Sequence, residues 1–372
     1  MKLRTFSHLL LIQASILAGF ISCGPREITE SANSEIKIDE LADGLNHPWA
    51  IEFLPDGRVL VTERSGDLRI LNKDTSLSDP ITGVPEVFAR DQGGLLDVAV
   101  DPDFEQNKRI YLSFAEPGDN GTASTALGYG TLSDNSIQNF QVIFRQTPKV
   151  EGGKHFGNRI IFSEGYIFVA LGERNKQTPA QDLTNQMGTV IRIKMDGSVP
   201  EDNPFLNEEG AAPEIWSYGH RNIQAAATDP ETGFLWVGEM GPQGGDELNV
   251  AERGKNYGWP EVSWGEHYDG TDIPDPTSRP EFADAALHWT PVISPSGMEF
   301  YTGEMFPEWK GKMLVGGLTT KEVVIVDVNN REAQESDRIE IGERVRDVKQ
   351  APDGSVYVIT DLSNGKILRL HR

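Results

Sequence analysis

The feature that most constrains the fold of this chain is a short unit that returns six times along it. Each copy is a turn rich in Pro, Asp or Gly, followed by five or six residues of the apolar or alternating pattern typical of a β-strand. The strand parts of the copies are residues 58–62, 109–114, 166–171, 234–238, 312–316 and 355–360. Strong helical periodicity is hard to find between them, which predicts an all-β repeat protein.

The spacing of the copies indicates what kind of repeat they form. They recur at roughly 60 residues, which is room for four antiparallel strands and their loops in one propeller blade. We therefore predict a six-bladed β-propeller with four-stranded antiparallel blades. Residues 34–39 would pair with residues 366–370 and close the ring, which removes exposed sheet edges. A pair of β-sandwiches and a β-helix are the alternatives, because the spacing is irregular.

Two long insertions interrupt the repeats, at residues 175–207 and 259–291. The second is rich in Pro, Asp and Trp. Long loops of a rigid scaffold are where binding and catalytic groups concentrate. We therefore expect both insertions on one face of the propeller, over the central channel.

The N-terminus carries the features of an export signal. Lys2 and Arg4 precede an apolar run at residues 9–21, and this run is too short to span a bilayer comfortably. The only cysteine, Cys23, follows in a setting that resembles a bacterial lipobox. We predict a lipoprotein signal peptide at residues 1–22, a flexible tether at 23–34 and the propeller at 35–372. The protein would then be periplasmic or held at the outer membrane by its lipid alone; an ordinary signal peptide is the alternative.

Charge and cysteine content exclude several classes of function. The chain has 57 acidic and 34 basic residues, for a formal net charge of -23. A nucleic-acid binder needs clustered Lys and Arg against the phosphates, so this class is excluded. One cysteine also excludes a disulfide framework and a cysteine-based zinc cluster.

Groups suited to catalysis lie in loops next to the predicted strands. His155 stands between glycines at residues 152–159, and the pKa of a histidine suits a general base. Residues 219–224 bring together a histidine, an arginine and two amides. Arg344 and Arg346 share one strand face by the two-residue period, and could bind carboxylates bidentately. A salt-bridge ladder with Glu340 and Glu343 is the alternative role for these arginines.

A further loop offers oxygen ligands. Residues 238–249 contain glycines and a proline that expose backbone carbonyls next to Asp246 and Glu247. Hard cations such as Ca²⁺ take carbonyl and carboxylate oxygens. The loop does not match an EF-hand, so a solvated turn remains the alternative to a calcium site.

Several of these strings, taken in order, resemble the soluble dehydrogenases of aldose sugars and glucose that depend on pyrroloquinoline quinone (PQQ). The resemblance covers nearly the whole chain after the leader. The matching strings lie at residues 45–49, 91–97, 155–159, 213–222, 241–249, 256–260, 295–298 and 344–354. This family is a six-bladed propeller, which agrees with the repeat count reached from the pattern alone.

The resemblance implies an activity and a role for each matching residue. An aldose would be oxidised at its anomeric carbon to a lactone, with the hydride passing to PQQ and Ca²⁺ bound beside it. The catalytic set would be His155 as general base, Gln92 near base and substrate, Glu173 orienting the base, and Arg221 polarising the quinone. The residues holding PQQ would be Arg221, Asn222, Gln224, Thr319, Arg344 and Arg346, and those holding metal would be Gly241, Pro242, Asp246 and Glu247.

The sequence departs from the family at four of these positions. Thr319 stands where a PQQ-binding lysine is usual, with Lys321 displaced by two, and Glu173 stands where Asp is usual. Met240 replaces His or Gln, and Asn158 replaces Gly. Two other classes therefore stay open, a calcium-dependent lactonase and a non-catalytic envelope propeller that binds a glycan or a protein. The sequence does not identify the sugar, the electron acceptor, the number of calcium sites, or whether the chain is a monomer or a homodimer.

Overall fold

The computed structural model describes residues 35–372, so the predicted leader, Cys23 and the whole predicted tether lie outside the described residues. The described part contains 26 β-strands and a single helical turn, α1 (Phe104–Asn107). Short 3-10 segments occur at Asp119–Gly121, Thr178–Gln181, Pro276–Ser278 and Pro307–Trp309. Within residues 35–372 no helix has the length and apolar character needed to span a membrane.

Most of the described strands belong to six sheets, which are arranged as the blades of a propeller. Strand β1 is Lys37–Leu45, and the first blade contains β2 (Pro48–Phe53), β3 (Val59–Glu63) and β4 (Leu68–Leu71). The second blade contains β5 (Leu95–Val100), β6 (Arg109–Pro117), β7 (Thr122–Ser133) and β8 (Ser136–Arg145), and β9 (Val150–Glu151) pairs with β7. The third blade contains β10 (Gly157–Ser163), β11 (Tyr166–Leu171), β12 (Thr189–Lys194) and β13 (Ile215–Tyr218).

The second half of the chain continues the same order. Its next strands are β14 (Ile223–Thr228), β15 (Leu235–Glu239), β16 (Gln243–Gly244), β17 (Asp246–Val250), β18 (Gly265–Glu266) and β19 (Leu287–Trp289). Strands β14, β15, β17 and β19 form the fourth blade, while β16 and β18 form a separate two-stranded sheet. The fifth blade contains β20 (Pro295–Phe300), β21 (Met313–Gly317), β22 (Glu322–Asn329) and β23 (Glu332–Glu340). The sixth contains β24 (Val345–Gln350), β25 (Val356–Thr360), β26 (Gly365–His371) and β1.

The repeat read from the sequence corresponds to one position in every blade. Its six copies become β3, β6, β11, β15, β21 and β25, which are the second strands counted from the channel.

Five blades have the predicted four strands, and the first has three. The chain after β4 does return beside it, with the N–H of Ser78 bonded to the carbonyl of Ile70 and that of Ile81 to Leu68. Pro80 lies between these two bonds and has no N–H to give, so no regular fourth strand forms.

The ring closes as the sequence predicts. Strand β1 pairs antiparallel with β26, from Lys37 opposite His371 to Leu45 opposite Gly365. The innermost strands β2, β5, β10, β14, β20 and β24 contact one another in that order, and β24 contacts β2. Apolar side chains fill the space between neighbouring blades in six separate clusters, one at each junction. The molecule is a six-bladed β-propeller whose cores lie between its blades.

A buried arginine joins the innermost strands across the channel. Arg159, on β10, bonds to Asp97 on β5 at 3.1 Å and contacts Asp347 on β24 at 3.2 Å. Its other hydrogens go to the carbonyls of Gln224 on β14 and Ser296 on β20. The backbone N–H of Ile51, on β2, donates to Asp347 at 3.0 Å. We call Arg159 with Asp97 and Asp347 the channel hub, because its bonds reach all six blades.

Candidate active site

A cleft of about 560 Å³ opens at the end of the channel where the innermost strands begin. The loops before β5, β10 and β14 all reach it. Seven of the residues predicted for the site line the cleft: Gln92, His155, Arg221, Asn222, Gly241, Pro242 and Asp246. The other predicted residues, Glu173, Gln224, Glu247, Thr319, Arg344 and Arg346, do not line it.

His155 is held by two side chains. Its backbone N–H donates to Gln92 Oε1 at 2.8 Å, and its ring Nδ1 lies 2.6 Å from Glu173 Oε1. Burial lowers the pKa of His155 below its ordinary value, and the hydrogen bond to Glu173 opposes this effect. Since a carboxylate only accepts, Nδ1 carries the hydrogen and Nε2 keeps its lone pair. The ring is therefore suited to take a proton in the cleft.

Glu173 is fixed on its other oxygen by the first insertion. Glu173 Oε2 accepts the backbone N–H of Lys176 and that of Gln177, the latter at 2.7 Å. The Glu173 side chain has no exposed surface. The insertion itself does not line the cleft, but Gln181 Nε2 donates to the carbonyl of Trp259 at 2.8 Å in the second insertion. The first insertion thus supports the His155–Glu173 pair from behind.

Arg221 brings a positive charge into the cleft, together with a buried N–H that has no partner in the described residues. Its Nη1 donates to the carbonyl of Met240 at 2.8 Å, and its backbone N–H donates to Glu239 Oε2 at 2.6 Å. Its Nε is buried and has no hydrogen-bond partner in the described part of the chain. An unpaired buried donor is costly, so this N–H is a natural contact for a ligand oxygen.

Behind Arg221 lies a Ser–His–Glu arrangement that looks like a hydrolase triad. His220 Nε2 is 2.9 Å from Ser217 Oγ, and His220 Nδ1 is 2.8 Å from Glu239 Oε1. Ser217 and His220 are both completely buried, so this serine has no access to a substrate. Because Glu239 also accepts the N–H of Arg221, these residues fix the Arg221 backbone.

The two strand arginines meet at a carboxylate that the sequence analysis did not identify. Asp361 contacts Arg346 at 2.5 Å, Arg344 at 3.6 Å and Arg64 at 3.9 Å, and accepts from His47 at 2.9 Å. Burial opposes ionisation of Asp361, yet Arg346, Arg64 and His47 together hold the pKa of its carboxyl well below the usual range. We call these five residues the arginine cluster. Three guanidinium groups share one carboxylate there, which leaves positive charge uncompensated.

The arginine cluster rules out the alternative role given above for Arg344 and Arg346, and it also brings Gln224 next to them. Neither Arg344 nor Arg346 pairs with Glu340 or Glu343, so the alternative of a salt-bridge ladder is wrong; Glu343 bonds to Lys366 instead. The physical reason is that both guanidinium groups point to the end of β25, where Asp361 sits, and not along their own strand. Gln224 Oε1 joins the cluster by accepting from Arg346 at 2.7 Å.

Thr319 reaches the rim of the cleft indirectly. Its Oγ1 lies 2.6 Å from the hydroxyl of Ser294, a residue that lines the cleft. Lys321, two positions further on, does not line the cleft. The shorter threonine therefore occupies the position where a lysine is usual, and the displaced lysine does not replace it there.

Asp246 fixes the loop that carries the predicted carbonyl ligands. Its two oxygens accept the N–H of Gly241 at 2.9 Å and that of Ser294 at 2.6 Å. Burial raises the pKa of Asp246 to about 6, although these backbone bonds favour the charged form. The carboxylate is thus committed to backbone N–H groups, and it holds Gly241 and Pro242 at the cleft wall.

Glu247 lies in a small enclosed cavity next to the cleft. Burial and the neighbouring charge of Glu239 raise the pKa of Glu247 to about 8. Asn249 Nδ2 donates to both carboxylates at 3.2 Å, while its Oδ1 is buried without a partner in residues 35–372. A bound cation would favour the ionised form of Glu247 beside Glu239 and would satisfy the free amide oxygen of Asn249. No point in the described ranges brings three Asp, Glu, His or Cys side chains together as a ready metal site.

Several residues that line the cleft were not identified from the sequence, among them Gln243, Glu266 and Tyr268. Glu266 and Tyr268 belong to the second insertion, which lies over the channel as expected. Glu266 is brought to the cleft by the pairing of β18 with β16, where it stands opposite Gln243. These strands are only two residues long, which gives no readable period in the sequence.

The glucose/sorbosone dehydrogenase family model matches residues 45–369. The aldose sugar dehydrogenase YliI of Escherichia coli strain K12 is 45% identical over 353 residues, covering 91% of this chain and 94% of that protein. The crystal structure of the soluble aldose sugar dehydrogenase from Escherichia coli in its apo form has a TM-score of 0.87 at 45% identity, covering 90% of this chain and 99% of its own.

A second solved structure is similar to this chain and contains PQQ. It is the PQQ-bound form of an aldose sugar dehydrogenase from Streptomyces coelicolor. Its TM-score is 0.72 at 25% identity, covering 91% of this chain and 98% of its own. The similarity thus extends over the propeller as a whole and not over single motifs.

Proposed function

The chain belongs to the glucose/sorbosone dehydrogenase family and is a sugar dehydrogenase, and we propose that it oxidises aldoses at the anomeric carbon to lactones with bound PQQ and Ca²⁺. The observation that carries the proposal is the His155–Glu173 pair, which presents a neutral, carboxylate-oriented imidazole in the same cleft as Arg221. A dehydrogenase needs such a base to take the hydroxyl proton.

The residues of this chain suit an anionic quinone. PQQ has three carboxylates, and the arginine cluster offers three guanidinium groups against the single carboxylate of Asp361. The Nε atoms of Arg221 and Arg346 are buried and unpartnered in the described part of the chain. We propose that Arg221, Asn222, Gln224, Arg344 and Arg346 hold PQQ, with the hydroxyl of Thr319 replacing the usual lysine.

Two places in the site suit calcium. The carbonyls of Gly241 and Pro242 stand at the cleft wall, where Asp246 fixes their loop, and we propose that they bind the Ca²⁺ that also contacts PQQ. The buried Glu247 and the unpartnered oxygen of Asn249 suit a second Ca²⁺, which would offset the repulsion from Glu239. Asp246 would then act on the metal through the loop and not as a ligand.

The mechanism follows from the placement of the side chains. When bound, PQQ supplies the two-electron acceptor for the hydride of the anomeric carbon, and Ca²⁺ supplies a Lewis acid beside it. His155 Nε2 takes the proton of the anomeric hydroxyl, so that the carbon–oxygen bond becomes the carbonyl of the lactone. Glu173 accepts the Nδ1–H throughout and stabilises the imidazolium that forms. Arg221 places its positive charge where negative charge develops.

The experiment is a titration followed by turnover. Purified protein is titrated with PQQ and Ca²⁺, and the loaded protein is assayed for dye reduction with a panel of aldoses. We expect saturable PQQ binding and reduction with at least one aldose. The His155→Gln variant should bind PQQ like the unchanged protein and lose at least about 100-fold in turnover, because the base is gone.

The control is His288→Gln, because His288 is exposed and stacks on Trp264 away from the cleft. It should keep full activity. Absence of turnover at saturating PQQ and Ca²⁺ would overturn the proposal. Hydrolysis of lactones without quinone would then support the lactonase class, and failure to bind PQQ would support a non-catalytic propeller.

We also propose that the protein is exported and anchored through a lipid on Cys23. The support is the sequence of the leader alone. The Cys23→Ser variant should lose its membrane association in cell fractionation, while an unchanged distribution would contradict the anchor.

A further inference from the structure

The two-stranded sheet of β16 and β18 forms one wall of the cleft. Gln243 lies opposite Glu266 in this sheet, and Gly244 lies opposite Gly265. A methyl group added at Gly265 would stand only 2.3 Å from the carbonyl oxygen of Gly244, so the two strands approach as closely as glycine allows. The sheet therefore ties the second insertion directly to the loop that carries Gly241 and Pro242.

Beyond Glu266 the chain makes a tight turn with Tyr268 near its tip. The N–H of Gly270 donates to the carbonyl of His267 at 2.9 Å, and the N–H of His267 donates to Thr271 at 3.0 Å. The carboxylate of Asp269 accepts the N–H of Thr271 at 2.9 Å, which closes the turn further. A turn with three internal hydrogen bonds gives its side chains a defined position.

Tyr268 is the most exposed large apolar side chain in the described residues, at 74% exposure, and it lines the cleft. Every other tyrosine in this part of the chain is at least partly buried. An aromatic ring left in water at the mouth of a cleft is a surface that a ligand with an apolar face can cover. Glu266, also exposed, adds a hydrogen-bond acceptor beside it.

We propose that Gln243, Glu266 and Tyr268, here called the sugar wall, form the sugar subsite. The Tyr268 ring packs on the C–H face of a pyranose, and Glu266 and Gln243 bond to its hydroxyls. This inference rests on the proposed function, because the sugar is taken to lie in the cleft that contains His155. None of these three residues is among those proposed to hold PQQ or calcium.

The carboxylate of Glu266 gives the subsite a preference by charge. The other acidic side chain that lines the cleft, Asp246, accepts two backbone N–H groups. The cation of the cleft, Arg221, is proposed to contact the quinone. An anionic sugar such as a uronic acid therefore meets the charge of Glu266 without a free counter-charge on the sugar wall. Neutral aldoses are favoured over uronic acids.

The experiment compares glucose and glucuronate in three variants of the PQQ- and Ca²⁺-loaded enzyme. Tyr268→Ala should raise KM for glucose by about tenfold and leave kcat within about twofold, because it removes stacking and not chemistry. Tyr268→Phe should keep the KM, since the ring remains. Glu266→Gln should raise the ratio of kcat/KM for glucuronate to that for glucose by about fivefold.

A binding measurement provides a readout without turnover. In a His155→Gln background, calorimetry should show weaker glucose binding when Tyr268→Ala is added, and an unchanged affinity for PQQ. The matched control is Leu206→Ala, which removes another exposed apolar side chain outside the cleft and should change neither quantity.

The outcomes separate the two proposals. If the unchanged protein oxidises no aldose, the proposed function fails and the subsite falls with it. If the unchanged protein is active and Tyr268→Ala has the same KM, the subsite alone is overturned. Equal loss of glucose and PQQ affinity in Tyr268→Ala would also overturn it, because the sugar wall would then be a structural support of the cofactor site.

Discussion

At the scale of single residues, the proposed general base His155 is defined by the side chains that hold it. His155 has a positive φ of 53°, which is uncommon outside glycine, and the bonds to Gln92 and Glu173 keep it there. Burial lowers its pKa and Glu173 opposes this effect. The net lowering of this pKa favours the neutral imidazole, which is the form that can accept a proton.

Replacing Glu173 by Gln tests this balance. Gln still accepts a backbone N–H, but it removes the charge that raises the pKa of His155, so this pKa should fall further. Activity requires neutral His155 and is lost as the pH falls through its pKa, so the acid limb of kcat/KM should move to lower pH. The maximal rate should drop on the order of 100-fold, because the imidazolium is no longer stabilised.

The matched variant is Glu173→Asp, which keeps the charge and moves it by one methylene. It should lose less activity and leave the acid limb close to its original pH. The measurement is kcat/KM against pH for all three proteins. An acid limb that stays in place or moves up in Glu173→Gln would show that Glu173 does not act on the pKa of His155.

The site residues that can be predicted from the sequence are those that lie within short, recognisable strings. The glycine-flanked His155 and the run containing Arg221 were found from short strings, and the structure puts both in one cleft. The two-residue period placed Arg344 and Arg346 on one face, and both do reach the same carboxylate. That carboxylate, Asp361, follows a different strand, so no local pattern pointed to it.

At the scale of elements, the strands found from the sequence are those with buried apolar residues directly after a turn. Residues 166–171, for example, are β11 without a shift of either boundary. Innermost strands were harder to see, because some of their residues face the polar channel; β5 carries Asp97 in this way. The small sheet of β16 and β18 was not predicted, because its two strands meet only when the second insertion folds back.

Strand β1 closes the ring, and its removal tests how much the closure contributes. A chain that begins at Asn46 loses the six residue pairs between β1 and β26 and leaves β26 as a long open edge. We expect its free energy of unfolding to fall on the order of 3 kcal/mol, measured by denaturant titration. A chain that begins at Ile36 keeps every pair and is the control. Equal midpoints for the two chains would mean that the closure contributes little.

At the scale of the whole molecule, the channel hub makes the six blades depend on one another. Arg159→Met keeps much of the volume of the side chain but leaves Asp97 and Asp347 buried without their cation. We expect a loss of about 3–5 kcal/mol in the free energy of unfolding, measured in urea. Burial already raises the pKa of Asp97 to about 6 even though the charge of Arg159 opposes this effect. The ionised form of Asp97 therefore depends on the guanidinium of Arg159.

The control for the hub removes the charges together. Adding Asp97→Asn and Asp347→Asn to Arg159→Met should recover part of the lost stability, because no unpaired buried carboxylate remains. If the triple variant is as unstable as Arg159→Met alone, the loss comes from packing and not from charge. The sequence showed none of this network, because its members are ordinary charged residues on three separate strands.

The pairing of β1 with β26 also decides where the ends of the propeller lie. Lys37 and His371 are partners in one ladder, so the first and last strands of residues 37–371 finish side by side on the outer edge of the sixth blade. A short linker could join these two ends into a cyclic chain, and this linker would not cross the cleft. New ends could then be opened at an exposed turn such as residues 133–136, which makes the protein well suited to circular permutation.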